Sequence, residues 1–286
     1  MSAKRLAAAI ACVSLALSAP FGARAAEPSA PMEEPLSTDA PASFARDRTS
    51  EQRELEQRLR AGFSRERMRA DLEQLASQPH RAGSARGHEV ARFIADQLRA
   101  AGLDAQVVEY VHYLSSPVSL SAAIELPDPT PLQLTEDVIA ADPFTRDAHE
   151  HPGWNAYSAS GSASAQIVFA NHGSRADFEQ LAALGVDLAK RIVLMRYFGA
   201  GESEKVMHAQ QAGAAAVILY SDPEDDGYAY GDTYPDGPWR PAGSIMRRSI
   251  GGSIGDPLSP GWASRPGARR LSPSKVDTLP RIPVLP

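Results

Sequence analysis

The sequence predicts an α+β protein, and three observations carry that prediction. Apolar residues recur at helical spacing between 50 and 101, and they alternate at strand spacing between 108 and 126. From 165 onward, short apolar runs and amphipathic segments follow one another as strand, helix, strand, helix, strand. With 286 residues, 43% hydrophobic and 22% charged, the chain can bury one substantial core or two smaller ones. Its net charge of -6 comes from interspersed charges with no basic stripe, which argues against a nucleic-acid partner.

The first residues read as an address. Lys4 and Arg5 precede an apolar stretch from Leu6 to Ala19, and Ala23-Arg24-Ala25 has the small-x-small form of a cleavage site. A run of about 14 apolar residues is shorter than the roughly 20 needed to cross a bilayer as a helix, so residues 1–26 are expected to be a cleaved signal peptide. The expected location is periplasmic or extracellular, with no membrane contact after cleavage. The single cysteine, Cys12, lies in this segment, which leaves the mature chain no disulfide or thiolate metal site. Residues 27–49, rich in Pro, Ala, Ser, Glu and Asp, read as a solvated linker.

Ser50 is placed to cap a helix carrying Leu55, Leu59 and Phe63. Ser64 opens a second with Met68, Leu72 and Leu75, which Pro79 ends. A third helix, from His88 to Ala101, presents Val90, Phe93, Ile94 and Leu98 and stops at Gly102. The alternating residues Val108 to Leu114 and Val118 to Leu126 predict a hairpin turning at Ser115-Ser116-Pro117. Residues 127–164 read as loop.

The second half begins with a strand at 165–170. Ser174 and Asp177 have the spacing of a capping box before a helix bearing Phe178, Leu181 and Leu184. Strands are expected at Arg191–Tyr197 and Ala216–Tyr220, with a helix from Glu204 to Gln211 between them. Residues 221–270 are dense in Gly, Pro, Asp and aromatics and are expected to pack as loops and short strands.

Several motifs occur in a recognisable order: Arg191-Ile192-Val193-Leu194-Met195-Arg196-Tyr197, Ala212-Gly213-Ala214, Val217 to Pro223, Tyr234-Pro235-Asp236-Gly237, Gly255-Asp256-Pro257-Leu258-Ser259-Pro260-Gly261 and Ile282-Pro283-Val284. Residues 165–286 resemble the protease-associated (PA) domain of the glutamate carboxypeptidase II and transferrin receptor family of zinc peptidase homologues. Upstream, Pro79-His80-Arg81-Ala82-Gly83 and the helix ending Ala101-Gly102-Leu103-Asp104 resemble the start of that family's peptidase domain. The resemblance implies a β-barrel-like sheet flanked by helices over 127–286, core 165–286, preceded by a partial α/β peptidase segment over 50–126.

For function, the resemblance implies a substrate-rim module of a zinc-dependent metallopeptidase acting on small peptides. The family's two zinc ions are held by residues after the PA domain, opening with His-x-Asp, an element this sequence lacks. The catalytic residues are therefore expected beyond Pro286, and the chain alone is expected to be inactive. The implied partners are a peptide substrate or a missing catalytic half, with a homodimer in the full-length form. A non-catalytic PA module that binds a peptide or protein is the alternative.

In glutamate-releasing members an arginine in the rim loop faces the substrate carboxylate, since a guanidinium fork suits that group. Alignment through Arg196-Tyr197 and Lys205-Val206 places Glu202 there, which would repel such a substrate. The family's structural calcium loop is matched by Ser259 and Trp262, with the remaining carboxylates expected from another domain.

Other motifs carry less. Gly251-Gly252-Ser253-Ile254-Gly255 fits Gly-x-Ser-x-Gly, but Pro257 and Pro260 forbid the helix that a nucleophile elbow needs. His88-Glu89 lacks its second histidine, because position 92 is Arg. His149-Glu150-His151 is read as a solvated loop, Gly199-Ala200-Gly201 as an incomplete nucleotide loop, and His208 as a packed helix residue.

Overall fold

The structure is a computed structural model that describes residues 48–146 and 152–286. It divides into two compact units, up to Ala70 and from Asp71 to Pro286. The proposed signal peptide with Cys12, most of the linker and His149-Glu150-His151 lie outside the described residues.

The first unit holds α1 (Thr49–Ala61) and the beginning of α2 (Arg65–Ala76). Ser50 does not cap α1: the helix starts one residue earlier, with Arg48 in the capping position and no side-chain cap bond. Ser64 does cap α2, its hydroxyl accepting from the Arg67 amide at 3.2 Å. Helical periodicity formed the helices here, but it did not bury their stripes, and Phe63 remains 75% exposed.

In the second unit, α3 (Ala85–Ala100) begins earlier than its apolar stripe suggests, because Ser84 accepts from the Gly87 amide at 3.0 Å. The predicted hairpin at 115–117 does not form. Residues 108–114 form no strand and bond instead to a distant loop: the Val111 amide donates to the Ser264 carbonyl and the Tyr113 amide to Asp256. The hairpin present is shorter and later. It joins β1 (Ala123–Ile124), inside the expected strand Val118 to Leu126, to antiparallel β2 (Thr130–Pro131) across the Asp128-Pro129 turn, and β2 lies in the stretch expected to be loop.

The central sheet follows the sequence closely. Strands β3 (Ile167–Phe169), β4 (Ile192–Arg196), β5 (Ala216–Tyr220) and β6 (Val284–Leu285) run parallel in that spatial order. In register, Val168, Val193, Val217 and Val284 point to one face. On that side lie α4 (Arg175–Ala183) and α5 (Glu202–Gln211), and the core joins Val193, Met195, Val217, Leu219 and Val284 to Val206 and Ala209 of α5. A smaller cluster gathers Leu258, Val276 and Leu279 with Tyr113 and Tyr157. On the other face of the sheet Leu194, Ile218 and Leu285 are half-buried and Ile167 and Phe169 exposed. The fold is mixed α+β on a parallel sheet.

The capping box is present as written in the sequence. Ser174 Oγ accepts from the Asp177 amide at 3.2 Å, and Asp177 Oδ2 accepts from the Ser174 amide at 2.9 Å. Burial would raise the Asp177 pKa, but the bonds from Ser174 and Asn171, with His172 nearby, hold it below the usual carboxylate range. Ser174→Ala is expected to cost about 1 kcal/mol, read by urea unfolding.

Candidate substrate-rim site

Parallel strands β4 and β5 end at the same level, with Arg196 in register with Tyr220, and the loops that leave them form a charged rim. After Arg196 the chain runs through Tyr197 and turns sharply at Phe198 and Gly199, both left-handed, with φ of 63° and 71°. Glycine is required at 199, because a Cβ there would sit 2.5 Å from the His172 ring. Phe198 bears the same backbone strain without that freedom, so something must hold the turn.

Lys205 holds it. The side chain is 0% exposed and its ammonium donates 2.8 Å bonds to the carbonyls of Arg196 and Phe198. Burial lowers its pKa from the ordinary lysine value, against the opposing charges of Glu202, Asp177 and Asp225. Tyr197, 1% exposed, braces the same loop from the other side. Its hydroxyl lies 2.9 Å from Asn155 Oδ1 and 3.0 Å from the Met246 carbonyl, two acceptors for one proton. Burial pushes this phenol up to about 12, so it serves as a post, not a proton carrier, near neutral pH.

Charged residues surround these braces. Arg196 forks onto Asp225 at 3.0 and 3.3 Å with Asp222 at 3.4 Å. Arg240 forks onto Asp226, and Arg247 meets Glu136 at 2.8 Å. Arg248 is different: its Nε is 3.9 Å from Glu202, and its guanidinium lies over the Phe198 ring at 5.6 Å. Glu202 is thus the first residue of α5, at the positive end of the helix, beside Arg248.

The second predicted position, the loop 255–262, is built around Asp256. Ser259 Oγ donates to Asp256 Oδ2 at 2.7 Å, while the Tyr113 amide and Arg270 donate to Oδ1 at 2.8 and 3.1 Å. Trp262 Nε1 donates to the Arg269 carbonyl at 2.7 Å, and the Arg269 guanidinium covers its ring. Calcium takes six to eight oxygen ligands, and an Asp256 already engaged by a guanidinium does not supply them, so these residues alone do not fit the ion. Among the described residues no group of three or more His, Cys, Asp or Glu is placed to hold a metal.

The remaining motifs are structural. Ser253 pairs with Thr278 in irregular chain. His208 packs edge-on to Phe178, and the Gly199 to Gly201 segment is the strained turn described above. Sequence reading missed Asn155 and Arg248 as rim residues and used Lys205 only as an alignment anchor.

A family model described as the PA domain matches residues 156–250. A probable glutamate carboxypeptidase of Arthroderma benhamiae is 38% identical over 177 residues, covering 60% of this chain and 24% of that protein. Aminopeptidase NAALADL1 of Mus musculus is 32% identical over 235 residues, covering 77% and 31%. Residues 156–250 match a PA domain, in a chain similar to glutamate carboxypeptidases. The chain with its PA domain spans no more than about a third of the length of these relatives. Among solved structures, an aminopeptidase from Aneurinibacillus sp. strain AM-1 aligns over 66% of this chain and 35% of its own, at 20% identity and a TM-score of 0.35. No helix among the described residues is long and apolar enough to cross a membrane.

Proposed function

We infer that this chain supplies the substrate rim of an exported, zinc-dependent, glutamate carboxypeptidase-like metallopeptidase, and that the dinuclear zinc centre comes from residues outside this sequence. The observation that carries the reading is the rim itself: a strained turn clamped by Lys205 and Tyr197 at the ends of β4 and β5, ringed by arginines and carboxylates. Such a surface can bind and orient a charged peptide. Residues 50–126 then belong to the peptidase domain and 127–286 to the PA module, whose barrel-like closure would use the isolated bridge between Ala156 and Ser249. Ser259 and Trp262 would serve a calcium ion only when another domain adds its carboxylates.

The purified chain, supplied with zinc and short acidic and neutral peptides, should bind peptide by titration calorimetry and release no amino acid. Appreciable hydrolysis would overturn the assignment of the zinc centre elsewhere, and lack of binding by every peptide would overturn the rim. The non-catalytic interaction module draws support from the exposed Ile167 and Phe169 on the open sheet face. A rim mutant that still captures a protein partner would favour it.

A further inference from the structure

Three of the four arginines around the rim are committed. Arg196 and Arg240 give two nitrogens each to a carboxylate, and Arg247 gives one nitrogen to Glu136 and another to the Ile245 carbonyl. Arg248 alone among them has no short ionic contact. Its Nε is shared between Met246 Sδ at 3.4 Å and Glu202 at 3.9 Å, its Nη1 and Nη2 edge has no hydrogen-bond partner among the described residues, and the residue is 43% exposed at its side chain. A bare guanidinium edge in water is common on protein surfaces, but this one stands on a fixed base. The Arg248 amide donates to buried Asn155 Oδ1 at 3.1 Å, the Arg248 carbonyl accepts from Ala156 at 2.8 Å, and Ile250 donates to Ala156 at 3.0 Å. Phe198 supports one face of the guanidinium, and Phe198 is itself pinned by Lys205.

We propose that Arg248 is the residue at which this rim reads charge, its outer fork accepting a carboxylate of a bound peptide. The inference rests on the rim reading given above. Glu202 does not repel the ligand in this arrangement. It sits at the positive end of α5, beside the Nε side of Arg248, and leaves the Nη edge to the ligand. The carboxylate recognised is either the terminal one or that of an acidic side chain, since both present the same two oxygens to the fork.

Three probes separate these sources: N-acetyl-Ala-Glu, N-acetyl-Ala-Gln and N-acetyl-Ala-Gln-amide, with two, one and no carboxylates. Titrated into the full chain, N-acetyl-Ala-Glu should bind at least tenfold more tightly than the amide, with N-acetyl-Ala-Gln matching it if the terminal carboxylate is read and matching the amide if the side chain is, and Arg248→Ala should abolish the preference. Arg248→Lys, which keeps the charge without the fork, should retain part of it. In wild-type protein the Arg248 Nε–H resonance should move with N-acetyl-Ala-Glu and stay still with the amide, a readout independent of any variant's folding. Equal affinity for all three probes, or an Arg248→Ala variant that keeps the preference, would overturn this proposal while leaving the rim standing. Failure of all three to bind would remove the rim and this proposal together.

Discussion

Lys205→Met should lower stability by about 3 kcal/mol or more and loosen the turn at 197–201, although methionine matches the length and apolar character of the buried stem. The substitution removes the charged donor from both carbonyls, leaving that of Phe198 with the Ala200 amide at 2.8 Å and that of Arg196 without its ammonium partner inside the protein. An orphaned buried acceptor costs about 1–3 kcal/mol, and bonds from a charged group stand at the upper end of that range. Relief of the ammonium's desolvation offsets part of this loss, which is why the effect is smaller than two full charge-assisted bonds. Urea unfolding measures the stability, and amide hydrogen exchange at Phe198 to Gly201 measures the turn. Unchanged exchange there would show that the strained backbone at Phe198 holds its shape without the clamp.

Asp256→Ala is expected to cost about 3 kcal/mol, with a distinctive pH dependence. The side chain is 1% exposed and accepts from Tyr113, Ser259 and Arg270, with His112 at 3.9 Å. Burial alone would raise its pKa. The Tyr113 amide outweighs that together with Ser259, Arg270 and His112, so the native value lies below the usual carboxylate range. The native state therefore binds the proton less well than the unfolded chain. Its contribution is complete above the ordinary carboxylate pKa of about 3.9 and disappears as pH falls through the lower native value. Wild type and Asp256→Ala should differ most near pH 6 in thermal unfolding and converge in strong acid. Parallel curves down to pH 2 would contradict this account.

How much of this was legible depends on where each residue's partner lies. Strands β4 and β5 were readable because a parallel strand covered on its helix side and half-covered on the other is apolar along its whole length, and Ile192 to Tyr197 and Ala216 to Tyr220 are. The Ser174–Asp177 box was readable because its partners are three residues apart. Residues 108–114 were misread for the opposite reason. Period-two alternation predicts extended chain but does not choose a partner, and theirs is a loop 143 residues away at the Tyr113–Asp256 bond. The same holds for the rim. The acidic run Asp222, Asp225, Asp226 and the pair Arg247-Arg248 were plain in the sequence, but only the fold decides that Arg196, Arg240 and Arg247 are satisfied and Arg248 is not. Position 202 carries a carboxylate where the resemblance implies an arginine. What that charge acts upon lay 46 residues further on, beyond the reach of local pattern.

The clamp by Lys205 has one more consequence. It grips carbonyl oxygens, which every amino acid possesses, and so makes no demand on the side chains of residues 200 to 204. Apart from Glu202, whose charge offsets the burial of Lys205, those positions can change size or polarity while the scaffold beneath them stays in register. The surface of such a loop can drift by single substitutions with little folding penalty, as a tool accepts new bits in an unchanged chuck.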